Sequence, residues 1–184
     1  MRAAPILLSL LLMGACDATP VRDPQGDDFR KTPVPGPAWS MHSVTLYLPD
    51  DVLEPRIPAI TLASYIESLK ERAATGFSAH SHPGVSGVLI VMIKPGQEAR
   101  SWIVTGTPVQ TEIQASIEQA LEAVAVPDVS GGPVVFGLLF SAWGGGKPPP
   151  GMPMPVPESW QVLSGPEGRL MDDAFFNEAW ALPE

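Results

Sequence analysis

The chain has 184 residues, of which 45% are hydrophobic, and it carries a net charge of −9. That length and hydrophobic content predict that most of the chain folds, as one domain with its own core. An acidic surface is repelled by nucleic acid and by anionic lipid headgroups, so composition excludes a nucleic-acid partner and favours a basic protein partner.

The first 15 residues have the pattern of a signal peptide. Arg2 supplies the positive start, and residues 6–13 form an apolar run that only Ser9 interrupts. This run is too short to cross a bilayer, which takes about 20 apolar residues. The following Met13-Gly14-Ala15-Cys16 resembles a bacterial lipobox, in which small residues precede the cysteine that is acylated.

We therefore predict cleavage before Cys16 and attachment of acyl chains to this residue. Several acyl chains hold a protein stably at a membrane, because each buried CH₂ contributes about 0.8 kcal/mol. The mature chain is then expected in the cell envelope, lipid-anchored to a bacterial membrane and facing the periplasm, with inner or outer membrane left open. The alternative is an ordinary cleaved signal peptide. Cys16 is the sole cysteine, which excludes a disulfide within the chain.

Composition divides the mature chain into three parts. Residues 16–38 are polar, are rich in proline and lack apolar periodicity, which predicts a lipidated, flexible tether. Residues 39–143 are predicted to form an α+β domain. Residues 144–184 are predicted to form a Pro/Gly-rich linker followed by a short C-terminal helix over 172–181.

Hydrophobic periodicity gives the elements of the domain. Alternating or short, continuous apolar patterns predict four strands, over 43–48, 85–94, 99–105 and 133–143. Apolar residues at helical spacing predict two helices, one that begins at Pro58 and ends at Gly76 and one over 109–124. The order β-α-β-β-α-β predicts an α+β fold with a mainly antiparallel sheet and helices on one face, flanked by Pro-rich segments.

One segment, Gly87 to Phe140, has a further pattern. An apolar strand that begins with glycine leads through Pro95-Gly96 into a second strand ending in Thr105-Gly106. A helix containing Ile117-Glu118-Gln119-Ala120-Leu121 and a strand ending in Phe140 follow. This order of parts resembles the C-terminal domain of TonB-type energy transducers. The resemblance implies a sheet that accepts an added strand from a partner peptide by edge pairing.

The histidines give the only pattern that suggests a metal. His80 and His82 are two residues apart on an extended segment, so both imidazoles can face one side. His42, Met152 or Met154 would be a third ligand, the methionines for copper(I). The alternative is a polar loop whose histidines contact water. No known metal spacing is completed, and no cofactor is predicted.

Catalytic motifs are incomplete. Ser86 falls one residue short of Gly-x-Ser-x-Gly, and Gly144-Gly145-Gly146-Lys147 lacks the spacing of a phosphate-binding loop. We therefore predict a protein that is not an enzyme.

The leading hypothesis is a lipid-anchored, non-catalytic module that binds another envelope protein. Trp102, Trp143 and Trp160 are candidate interface residues. One alternative is an immunity-type protein, whose acidic domain would sequester a basic toxin in the periplasm with electrostatic steering. The other is a metal-binding or enzymatic protein that uses His80 and His82.

Overall fold

A computed structural model describes residues 37–147, 155–164 and 170–182, all within one compact unit. The predicted signal peptide, Cys16, nearly all of the tether, Met152 and Met154 lie outside the described residues. In the described part of the chain, no helix has both the length and the apolar character needed to cross a membrane.

Four strands form one antiparallel sheet, which confirms the predicted α+β class. The strands are β1 (Trp39–Leu46), β2 (Val85–Lys94), β3 (Glu98–Thr105) and β4 (Val134–Ala142). Their order in the sheet is β1-β4-β2-β3, with every neighbouring pair antiparallel. The two long apolar strands therefore lie in the centre, and β1 and β3 lie at the edges of the described sheet.

The first strand begins earlier than predicted, at Trp39 instead of residue 43. Its indole packs between Phe77 and Phe140, with ring centroids 6.2 and 6.3 Å away. Burial of this large side chain extends the strand beyond the segment in which polar and apolar residues alternate.

Two helices cover one face of the sheet, as the element order predicted. They are α2 (Ala59–Ser78) and α3 (Thr111–Glu122), and α2 follows a single-turn helix, α1 (Asp50–Leu53). Tyr65 of α2 meets Phe136 of β4 edge-on, and Phe77 packs on Phe140.

Helix α2 does not end at Gly76, which corrects the sequence prediction. The helix continues to Ser78, and Gly76 packs against Ile117 of α3. A glycine inside a helix costs about 1 kcal/mol. Burial of the next residue, Phe77, with no exposed surface outweighs that cost and keeps the last turn helical.

The opposite face is also covered, by helices that follow the strands. These are α4 (Glu158–Ser164), in a region without a predicted helix, and α5 (Asp173–Ala181), which matches the predicted C-terminal helix. The expectation of helices on one face alone therefore needs correction. Strands β2 and β4 are apolar at nearly every position, so both of their faces must be buried.

The C-terminal helices belong to the same core as the sheet, although the predicted domain ended at Trp143. Trp160 of α4 is fully buried and packs against Trp102 of β3, Phe175 and Phe176, with centroids 5.1 to 5.9 Å apart. Asp172 caps α5 by accepting a hydrogen bond from the backbone N–H of Phe175.

Polar contacts tie this C-terminal segment to the rest of the domain. The Arg56 guanidinium makes two hydrogen bonds of 2.8 and 2.9 Å to the Asp173 carboxylate and one to the backbone oxygen of Pro133. The Tyr47 hydroxyl donates to the backbone oxygen of Pro155, and burial raises the pKa of Tyr47 above its ordinary value.

Candidate functional site

A groove of about 560 Å³ lies beside the edge strand β3. Its lining includes four consecutive residues of that strand, Trp102, Ile103, Val104 and Thr105. Successive side chains of a strand point to opposite faces of a sheet, so a groove on one face would contact alternate residues. Contact with four residues in a row means that the groove follows the edge of the strand.

The register of the hairpin shows which peptide groups face this groove. The backbone N–H of Gly106 donates to the oxygen of Ser86, in line with the pairing of Gly87 with Thr105. Hydrogen-bonded and non-hydrogen-bonded pairs alternate along an antiparallel ladder. The peptide groups of Val104 and Trp102 therefore point into the sheet, and those of Ile103 and Thr105 point outward.

The two helical layers form the walls of the groove. Gln114 and Glu118 of α3 line one side, and the amide of Gln114 donates to Glu118 at 3.0 Å. Glu158 and Ser159 of α4 line the other side together with Pro157, and Pro108 and Val109 complete the lining. The edge strand thus lies between two helices that rise on opposite faces of the sheet.

The groove is acidic. Its lining contains two glutamates, Glu118 and Glu158, and no lysine or arginine among the described residues. Helix α3 adds Glu112 and Glu122 and has no basic residue. In the first 36 residues of the chain, four basic residues are balanced by four acidic ones, so the whole net charge of −9 falls on residues 37–184.

Aromatic packing holds the α4 wall in place. Trp102 and Trp160 meet edge-on at 5.1 Å, and the Arg100 guanidinium lies 5.5 Å from the Trp102 ring. Arg100 also donates to the backbone oxygen of Trp180, at the end of α5. These contacts connect the floor of the groove with both C-terminal helices.

The three tryptophans predicted at an interface have different positions. Trp102 lines the groove with 7% of its surface exposed, whereas Trp160 is fully buried beneath α4 and has no surface to offer a partner. Trp143 is half-buried, and its indole N–H is within 3.0 Å of the backbone oxygens of Phe77 and His80, at the end of α2. Of the three tryptophans, Trp102 is the one that lines the groove.

The side chains of the three histidines contact different residues. His80 hydrogen-bonds the Ser116 hydroxyl at 3.1 Å, and the His82 ring packs on Trp143 at 5.1 Å. His42 lies on β1 and contacts the Ser141 hydroxyl. Within residues 37–147, 155–164 and 170–182, no three His, Cys, Asp or Glu side chains are grouped so that they could hold a metal ion.

Comparison with known proteins gives no relative: no family model, no curated protein and no solved structure matches this chain. The resemblance of Gly87–Phe140 to the TonB-type domain therefore remains a prediction. Sequence reasoning named Trp102 but missed Glu118, Glu158 and the edge of β3 as parts of one site. Only the position of β3 at the end of the sheet order brings them together.

Proposed function

We propose that this protein is a lipid-anchored, non-catalytic binding module of the bacterial cell envelope, which binds an extended segment of a partner protein as an additional strand on β3. The sequence supports the anchor through the lipobox at Cys16. The single observation that supports the binding mode is the groove along the edge of β3, with outward peptide groups at Ile103 and Thr105.

The geometry of strand addition limits the ligand to a short extended peptide. Four strand residues at about 3.3 Å each give a groove floor of roughly 13 Å, which accommodates four or five peptide residues. Main-chain hydrogen bonds to the edge supply affinity, and side-chain contacts with the walls supply specificity.

The charge of the walls indicates a basic ligand. Glu118 lies on the wall formed by α3 and Glu158 on the wall formed by α4, on opposite faces of the extended sheet. Successive side chains of a bound strand also point to opposite faces. A ligand that forms ion pairs with both glutamates therefore carries lysine or arginine at two positions whose side chains point to opposite faces, such as two neighbouring residues.

A peptide-display selection tests this proposal. We expect a random library of linear peptides to yield binders rich in lysine and arginine. These peptides should bind the Thr105→Pro variant at least tenfold more weakly than the wild-type protein. This substitution removes an outward N–H and leaves the β2–β3 ladder intact. The matched control, Val44→Pro, removes an outward N–H at the other edge and should bind these peptides normally. Equal binding to wild type and Thr105→Pro would contradict the proposal.

The anchor has a separate test. Mass spectrometry of the mature protein from membranes should show acyl chains on an N-terminal Cys16, and Cys16→Ser should release the protein from the membrane fraction. An unmodified thiol, or a mature chain that begins at another residue, would refute the anchoring part of the proposal. Peptide binding would be unaffected by that result, because the groove lies within residues 102–159.

A further inference from the structure

Among the described residues, β1 has no strand paired with its outer side, and this edge of the sheet is uncharged. Val44 and Leu46 expose 38% and 37% of their surface, and none of the eight residues Trp39–Leu46 is lysine, arginine, aspartate or glutamate. Exposed edge strands usually carry charged residues or proline, which prevent pairing with another sheet. On β1 the one protective feature is the irregularity between Met41 and Ser43.

Beyond this irregularity, β1 is regular, and its register identifies the outward peptide groups. The N–H of Tyr47 donates to the oxygen of Val135, and Thr45 pairs with Gly137 two residues along the same ladder. These residues therefore turn their peptide groups toward β4. By alternation, the peptide groups of Val44 and Leu46 point away from the sheet, at the positions whose side chains are exposed.

We propose that β1 pairs with β1 of a second copy of this chain, antiparallel, about a two-fold axis that passes beside Thr45. In this register Val44 of each copy forms a hydrogen-bonded pair with Leu46 of the other, and Thr45 faces its own counterpart. The two four-stranded sheets become one sheet of eight strands. A two-fold interface uses the same surface on both copies, and this register satisfies that condition.

The side chains in this register are complementary. On one face, valine and leucine cover each other and bury the exposed apolar surface; on the other face, two threonines lie side by side. The paired strands contain no lysine, arginine, aspartate or glutamate, and the first acidic residues after β1, Asp50 and Asp51, belong to helix α1. Each copy is strongly acidic, yet no two like charges oppose each other across this edge.

Disulfide trapping tests both the dimer and its register. The variants carry Cys16→Ser, so that the introduced thiol is the sole one in the full chain. With Thr45→Cys, the two cysteines occupy a non-hydrogen-bonded pair with Cα atoms about 4.5 Å apart, within reach of a disulfide. With Ser43→Cys as matched control, the two sites are offset by four residues, about 13 Å, and cannot be bridged.

We expect Thr45→Cys to form a covalent dimer under mild oxidation and Ser43→Cys to remain monomeric. Equal crosslinking of both variants, or none with either, would overturn the proposal. Light scattering of the uncrosslinked Cys16→Ser chain gives a second measurement, with an expected mass of twice that of the monomer at high concentration. A monomer at every concentration would also overturn it.

Charge substitutions sharpen this test without requiring a crosslink. Val44→Lys with Leu46→Lys places lysine opposite lysine twice, and dimerisation should weaken by about tenfold or more. Val44→Lys with Leu46→Glu places lysine opposite glutamate twice and should restore the dimer. Circular dichroism establishes that both variants fold. Equal dimerisation by the two folded variants would contradict the register.

Discussion

The two edges of one sheet differ mainly in what stands beside them. Both edge strands have eight residues, and both direct alternate peptide groups outward. At β3, helices α3 and α4 line the groove on the two faces and contribute Glu118 and Glu158 to it. At β1 the exposed residues are His42, Ser43, Val44 and Leu46, of which two are apolar and none is lysine, arginine, aspartate or glutamate.

This difference leads us to propose that the residues flanking an edge strand select its partner. The main-chain hydrogen bonds available at the two edges are chemically identical, so they cannot distinguish a peptide from a second sheet. In the proposed binding modes, the acidic walls at β3 favour a basic peptide, whereas the edge at β1 pairs with a second copy of the chain. If the flanks select the partner, substitutions at one edge should leave the other edge unaffected.

The largest effect is expected from truncation of Trp160, the side chain that packs α4 against the sheet. Trp160→Ala leaves a cavity among Trp102, Phe175 and Phe176, and should lower the free energy of unfolding by about 3–5 kcal/mol. The β3 edge then loses one wall, so peptide binding should fall as well, while dimerisation through β1 should persist in the folded fraction. Urea denaturation and peptide titration measure these effects.

Trp160→Phe is the control for this prediction. The indole nitrogen of Trp160 is buried and has no hydrogen-bond partner among the described residues, so its removal costs no hydrogen bond. Phenylalanine keeps an aromatic ring in the same cluster, and the loss of stability should be well below that of alanine. Equal destabilisation by both substitutions would show that the cavity is not the cause.

Proline substitutions should separate the two edges. Thr105→Pro should weaken peptide binding and leave the dimer intact, whereas Val44→Pro should weaken the dimer and leave peptide binding intact. Each loses at least one hydrogen bond worth about 0.5–1.5 kcal/mol and gains a steric block by the proline ring. Peptide titration and light scattering on both variants measure the result. A loss of both activities in either variant would mean that the edges are coupled.

Alkaline pH should affect both edges together, because it acts on the shared core. Burial raises the pKa of Tyr65 to about 12, from 10.0 in the unfolded chain. As the pH rises from 10 toward 12, the unfolded state loses this proton first, so the free energy of unfolding falls, by on the order of 2 kcal/mol. Urea midpoints measured across this interval should decline less steeply in Tyr65→Phe.

The smallest effect concerns the acidic walls. Glu118→Gln and Glu158→Gln should each weaken the binding free energy of a basic peptide by about 0.5–1 kcal/mol. The effect should be largest at low salt, because salt screens exposed charge pairs. Glu67→Gln, on the exposed side of α2, is the matched control and should have no effect. If binding of the selected peptides is independent of both salt and these substitutions, the acidic walls do not select the ligand.

Much of the fold follows from local patterns in the sequence. The run from Val85 to Lys94 was predicted with the bounds that the structure has, because its β-branched residues fit a buried strand. The hairpin follows from the Pro95-Gly96 turn, in which Gly96 has a φ of 96°. The residues between Pro157 and Ser164 lack such a local signal. Helix α4 has one to two turns around a single tryptophan, and a helix this short is stable only because it packs on Trp102.

The candidate site is less visible in the sequence than the fold. Trp102 was a candidate on residue type alone, whereas Glu118 and Glu158 are separated by 40 positions and belong to helices on opposite faces. Neither helix forms a motif with the strand between them. No sequence pattern states that β3 ends the sheet, and this position is what exposes Ile103 and Thr105.

The sequence by itself determined the acidic charge, the lipobox-like pattern that ends at Cys16 and the order of strands and helices, because each depends on composition or on neighbours within a few residues. Tertiary structure alone decided which strands lie at the edges and which helices flank them. The physical reason is that a strand's outward peptide groups are the same in every strand. Whether these peptide groups bond to a neighbouring strand, lie between flanking helices or are exposed depends on segments distant in the chain.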